Sequence, residues 1–304
     1  MTNKELVNYF LMYCESKNLT SNSIDWYKLM LDKFLEYCQQ DKINIETMRT
    51  PQARQFINWL KNQKNRENQF YRDNAINGFI RSVKVLFNYL LEDEYIEKNP
   101  FAKVRQIKTD MVIIHTFEAE EIRKMLNQFN KNIYCDLRDS LLVRVLYDTG
   151  LRISEATYLK IDNVDLERNL LKVFGKGHKE RMVPFGRSVK REILKFIVKR
   201  EKEIPKDIDE GYLFSTREGT PLSSRNVLRK IKEIGYKAGI EGKRLSPHTF
   251  RHTFAKTYLV NGGNLFALQQ IMGHSKLDTT RKYVHLLTED IQKEHRQFSP
   301  LDNL

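Results

Sequence analysis

The sequence predicts a mostly α-helical chain with a small antiparallel β-sheet, divided into a helical first domain and a mixed α/β second domain. Three observations carry this. Apolar residues recur at helical spacing through the first hundred residues, with few Gly or Pro interruptions. The helical pattern stops around Asn99-Pro100, and Phe101 to Ile114 mixes cations and apolar residues without a period. Farther on, two short apolar-rich segments flank a Gly-containing polar turn, the pattern of a β-hairpin. We therefore expect a first domain over 1–100, a linker over 101–115 and a second domain over 116–304, with a tail from about residue 286.

In the first domain, Ile24, Tyr27, Leu31, Phe34, Leu35 and Cys38 recur at three and four, which stacks them on one helix face. Thr50-Pro51 reads as an N-cap followed by proline at the first helical position, opening a segment that buries Phe56, Trp59 and Leu60. The longest stripe runs Ile76, Phe79, Ile80, Val83, Leu86, Phe87, Leu90 and Leu91. Arg72, Arg81 and Lys84 lie off it. Such cations are either a solvated face or phosphate contacts, which add salt-sensitive affinity without reading sequence.

In the second domain, Thr116 reads as the cap of a helix whose first turn carries Glu118, Glu120 and Glu121. The helix holding Leu141, Leu142, Val145 and Leu146 should end at Gly150, suited to the left-handed C-cap. Arg152 and Glu155 follow, three apart. They read equally as a plain ion pair or as a guanidinium held rigid to grip a phosphate. The hairpin spans Leu170 to Phe174 and Arg181 to Phe185, with Lys176 between Gly175 and Gly177. That Lys is either a solvated turn residue or an ammonium on a mobile turn that reaches a reacting oxygen. Ser246-Pro247 opens a helix on which His248 and Arg251 share a face. A zinc reading of His248, His252 and His274 lacks the Glu of a zinc-protease helix, because Thr249 follows the first His. Finally, Met272 to His285 places Tyr283 nine residues after His274, beside Arg281 and Lys282.

Composition narrows the partner. The 304 residues include 52 Lys plus Arg against 39 Asp plus Glu, a net charge of +13, which points to a polyanion, with nucleic acid ahead of a membrane surface. No apolar run approaches the ~18 residues of a bilayer span, and the N-terminus lacks a signal peptide's apolar core, so a cytoplasmic protein is expected. Cys14, Cys38 and Cys135 read as free thiols rather than disulfides or a zinc cluster.

The strings TGLRISE, FGKGHKERMVP, PHTFRHTFA and MGHSKLDTTRKYVH, in this order, resemble the motifs of the tyrosine recombinase (phage integrase) family. The resemblance covers the second domain closely and the first loosely. It implies a helical core-binding domain and a catalytic domain that together clamp duplex DNA, and a site-specific recombinase with type IB topoisomerase-like chemistry. Tyr283 would attack the scissile phosphate to give a 3′-phosphotyrosine, a covalent link that needs neither metal nor ATP nor any other cofactor to be resealed. Arg152 and Arg251 would clamp the phosphoryl oxygens, and His274 would donate to one. Lys176 would protonate the leaving 5′-oxygen, His248 would help take the tyrosine's proton, and Glu155 would orient Arg152. The partners implied are double-stranded recombination sites, a tetramer of this chain on two such sites, and an accessory DNA-bending or directionality factor, with no membrane. In the tetramer the tail from Leu286, carrying Ile291 and Phe298, either docks on a neighbouring protomer or frays. A Xer-like resolvase or a mobile-element enzyme fits the absence of an arm-binding domain. The helix HTFRHTFAKTYL departs from the Leu before Arg and the Ser-Phe-Ala-Thr after it that are more usual in Xer proteins, which favours a transposon, plasmid or prophage enzyme. The alternative from another class is a DNA-binding regulator of the same fold that does not cut, expected to have lost one or more of the six residues that all stand here.

Overall fold

The computed structural model describes residues 1–109, 115–175, 179–273 and Ser299. The chain divides into two compact units, Met1–Val112 and Ile113–Leu304.

Among its described residues the first unit has four helices: α1 (Asn3–Ser16), α2 (Ser21–Gln40), α3 (Thr50–Lys61) and α4 (Asp73–Glu92). Helix α1 starts with a capping box, in which the Thr2 hydroxyl accepts from the Glu5 amide and the Glu5 carboxylate accepts from the Thr2 amide. In α3 the cap falls one residue earlier than expected. Arg49 is the N-cap, its amide donating to the Gln52 side chain at 2.8 Å, so Thr50 is already helical. The apolar stripe of α4 is buried from Ile76 to Leu90, whereas Leu91 is exposed. Phe34 is the centre of the core, with the rings of Phe56, Phe87 and Phe101 at 5.0, 6.0 and 6.1 Å. Phe101 and Val104, inside the stretch read as a linker, are buried in this core. Asn77 explains how the irregular segment after them is held: its side chain donates to the Ile107 carbonyl at 2.9 Å and accepts from the Ile107 amide at 2.8 Å. Cys14 and Cys38 are buried free thiols, and burial pushes the Cys38 thiol up to about 12.

The second unit contains α5 (Ala119–Leu126), α6 (Tyr134–Thr149), the short α7 (Ile153–Thr157), β1 (Val164–Asp165), β2 (Leu170–Phe174), β3 (Glu180–Pro184), α8 (Arg187–Glu203), α9 (Ser224–Lys237), α10 (Pro247–Val260) and α11 (Leu265–Met272). Glu118, not Thr116, caps α5; the Glu121 carboxylate accepts from the Glu118 amide, and Thr116 is buried within reach of Lys256. The sheet is antiparallel in the order β1-β2-β3, so the predicted hairpin gains one short strand that its two residues were too few to announce. β3 is an edge strand, which accommodates Pro184. Leu141, Val145 and Leu146 of α6 share one core with Ile193 and Phe196 of α8 and Phe250 of α10. This places the C-terminal end of α6, the hairpin and α10 around one region. Among the described residues no helix is long and apolar enough to cross a membrane.

Candidate active site

Three chain turns build the site. The first is the end of α6. Gly150 takes φ 60°, and a Cβ there would sit 2.4 Å from Phe254, so both backbone and space call for glycine. The turn leaves the Gly150 carbonyl free to accept from Arg251 Nη1 at 2.5 Å. It also delivers Arg152 to the N-cap of α7, where the Glu155 carboxylate accepts from the Arg152 amide and from its Nη1, both at 2.9 Å.

The second turn is the hairpin. Val173 pairs with Arg181 and Leu171 with Val183, so Arg181 projects from the same face as three buried apolar residues while Met182 faces outward. Arg181 meets Glu155 there through two parallel bonds, Nη1 to Oε1 and Nη2 to Oε2, each 2.8 Å. The Glu155 side chain is only 3% exposed and Arg181 14%, against 38% for Arg152. Burial pushes the Glu155 pKa up, but the bonds from Arg181 and from the Arg152 amide and side chain, with the charge of Arg181, outweigh it and hold the carboxyl below its ordinary range. Glu155 is therefore an anion shared by two guanidiniums.

The third turn is the end of α11, where Gly273 takes φ 63°. The Gly273 amide reaches the carbonyls of Gln269 and Gln270, and the carbonyls that follow at the helix end are those of Ile271, Met272 and Gly273. Arginines take them in succession. Arg181 Nε donates to Ile271 O at 2.8 Å, Arg251 Nη2 to Met272 O at 2.6 Å and Arg152 Nη2 to Gly273 O at 3.1 Å. The negative end of the helix dipole favours cations at that place.

The Ser246 side chain caps α10, as expected, accepting from the Thr249 amide, and so fixes the register of His248 and Arg251. Arg251 is buried. Desolvation first, and then the charges of Arg244, Arg251 and Arg152, lower the His248 pKa below 6.5, which leaves a neutral imidazole able to accept a proton at neutral pH.

Of the predicted site residues, the structure thus brings Arg152, Glu155 and Arg251 together at the end of α11, with His248 in the field of the two arginines. Lys176, His274 and Tyr283 lie outside the described residues, as does the tail from residue 286 apart from Ser299. The neighbours of the first two are described: a side chain at Gly175 would come within 3.8 Å of Glu155 Oε1, and Gly273 is the residue that Arg152 holds. Arg72, Arg81 and Lys84 fall at the start and on the outside of α4. Arg72 is the N-cap and Arg81 is exposed, and none of the three has an ion pair among the described residues. Arg81 and Lys84 share a face; Arg72, nine residues or about two and a half turns from Arg81, does not.

Sequence reasoning missed Arg181, although its phase with Val183 on an alternating strand was a signal of an inward cation in need of a carboxylate. It also missed Arg225, Arg229 and Lys232, exposed cations at i, i+4 and i+7 on α9, without ion pairs among the described residues, while Val227, Ile231 and Ile234 bury the other face.

Two family models match this chain: the phage integrase family over residues 115–290 and the phage integrase N-terminal SAM-like domain over residues 6–97. Tyrosine recombinase XerD of Staphylococcus aureus is 31% identical over 297 residues, covering 97% of this chain and 98% of XerD. The XerD of Staphylococcus saprophyticus is 30% identical over the same shares. Among solved structures, the XerH site-specific recombinase bound to palindromic difH substrate shares the fold at a TM-score of 0.74 and 22% identity, over 94% of this chain and 82% of that one. The Tn1549 transposon integrase in complex with transposon right end DNA does so at 0.73 and 23%, over 98% and 100%. Fold, site and relatives together define an enzyme of site-specific recombination, of the tyrosine recombinase class. The chain belongs to the phage integrase family.

Proposed function

We propose that this chain cuts and rejoins double-stranded DNA at specific sites with Tyr283 as nucleophile, and that the arginine cluster at the end of α11 is where the scissile phosphate is held. The observation that carries this is the convergence of Arg152 and Arg251 on the two carbonyls immediately before His274. Those carbonyl oxygens occupy guanidinium donors of the kind that two phosphoryl oxygens would use. Arg152 and Arg251 bind the phosphoryl oxygens, His274 donates to one of them, and neutral His248 helps accept the Tyr283 proton. Lys176 protonates the departing 5′-oxygen, and Glu155 orients Arg152. The bond lost to the 5′-oxygen is replaced by the bond to tyrosine, so rejoining is the reverse attack by a 5′-hydroxyl.

In this reading residues 1–100 form the core-binding domain, with Arg72, Arg81 and Lys84 as phosphate contacts. The catalytic domain occupies 116–304. Four protomers assemble on two sites in the cytoplasm, using the tail from about residue 286 and an accessory DNA-bending or directionality factor. The narrower role is recombination of a transposon, plasmid or prophage, supported by the departure of HTFRHTFAKTYL from the housekeeping pattern. The test is a supercoiled plasmid carrying two copies of a site that the protein has selected from a random DNA pool. Recombinant products that disappear with Tyr283→Phe support the proposal. Site-specific binding that leaves the plasmid unchanged, with no covalent product, supports a non-cutting regulator instead.

A further inference from the structure

Arg181 is a cation of the site that the family resemblance leaves without a task, and its geometry differs from that of Arg152. All three of its guanidinium nitrogens are engaged within the protein: two on the Glu155 carboxylate and Nε on the Ile271 carbonyl. Arg152, by contrast, leaves its side chain 38% exposed. We infer that Arg181 is a positioning residue for DNA cleavage, one that sets Arg152 through Glu155 and at the same time fixes the end of α11 from which the chain runs on to His274. The inference rests on the recombinase reading above.

Four observations support it. Glu155 is buried and accepts from both guanidiniums, so the orientation of Arg152 depends on where Arg181 holds the carboxylate. Arg181 comes from β3, Arg152 and Glu155 from the start of α7 and Ile271 from α11, so one side chain ties three elements whose sequence separations are 26 and 90 residues. The guanidinium lies against the C-cap itself: a Cβ on Gly273 would stand 3.0 Å from Arg181 Cζ, so Arg181 packs directly on the end of α11. Finally, an inward arginine on an edge strand is expensive to bury, and the packing alternatives at that register position are apolar, as at Leu171, Val173 and Val183. Lysine cannot replace it, because an ammonium offers no planar fork to hold both carboxylate oxygens while a third nitrogen reaches the helix end.

The test uses full-length protein on nicked duplexes carrying a site that the wild type has selected by binding from a random pool. Equilibrium binding and the single-turnover rate of covalent complex formation are measured for wild type, Arg181→Lys, Arg181→Gln, Arg152→Lys and the Arg152→Lys/Arg181→Lys pair. Site binding by the Arg181 variants should stay within about threefold of wild type while their covalent rate falls about 100-fold, the scale of a small misplacement of a reacting group. Lysine should recover little of that loss. In the Arg152→Lys background, Arg181→Lys should cost less than about threefold more, because both changes disable the same guanidinium. Should Arg181→Gln unfold, Arg181→Lys, which keeps the charge beside Glu155, carries the comparison. A covalent rate within about twofold of wild type, or effects of Arg181 and Arg152 that multiply in full, overturns the positioning role. Wild-type protein that binds its site but yields no Tyr283-dependent product overturns the recombinase reading itself, and the Arg181 role with it.

Discussion

At the scale of single residues the site is an exercise in placing one carboxylate among cations. Glu155 accepts from Arg152 and Arg181 in a buried position, while Arg251 donates to the Gly150 and Met272 carbonyls. Glu155→Ala leaves Arg181 inside the protein without its counter-charge, and we expect a loss of about 3–5 kcal/mol in stability, read by urea unfolding. Because the Glu155 pKa is held down in the folded state, the stability it contributes is complete above its unfolded value and fades as pH falls through the folded one. The Glu155→Ala variant should therefore show a flatter acid limb in its unfolding midpoint. His248 has the opposite task. Its pKa is lowered, so its proton-accepting form persists through neutrality and is lost only as pH drops below the ordinary histidine value. Single-turnover cleavage should fall on that acid side, and His248→Gln should flatten the limb while slowing the plateau.

At the scale of elements, the helix ends matter more than the helix bodies. Gly150 shows why. It gives α6 its left-handed end, makes room for Phe254 and offers its carbonyl to Arg251. Gly150→Ala forces a side chain into both a strained backbone and an occupied space. It should cost at least about 1–3 kcal/mol by thermal unfolding. This glycine was legible in the sequence, as were the Ser246-Pro247 start of α10 and the α2 and α4 stripes, because each is a local signal of spacing or capping. The cap positions of α3 and α5 were not, since Arg49 and Glu118 act through their own backbone amides, which donate to the side chain three residues on, rather than by residue type. Arg181 was hidden for a different reason: its partners, Glu155 and Ile271, are distant in sequence, and strand register alone brings them together. Helix α9 carries another testable element. Replacing Arg225, Arg229 and Lys232 together with Gln should weaken DNA binding and reduce the slope of log affinity against log salt by about 2–3, if these cations each meet a phosphate. An unchanged slope would assign that face to solvent.

At the scale of the whole molecule, the chain pairs a four-helix unit built around Phe34 with a second unit whose α6, α8 and α10 support a small sheet and an arginine cluster. The net charge of +13 pointed to a polyanion, and the order of the motifs identified the family before any distance was known. What the sequence could not convey is that three arginines from three separate elements close on one helix end. The central claim is that Tyr283 is the residue that takes the DNA. The direct measurement traps the protein on a phosphorothiolate duplex carrying its selected site, digests the complex with protease and nuclease, and maps the nucleotide-bearing peptide by mass spectrometry. The account predicts a 3′-linked nucleotide on Tyr283 that is absent in Tyr283→Phe. An adduct on another residue, or none from protein shown to occupy that site, would contradict it.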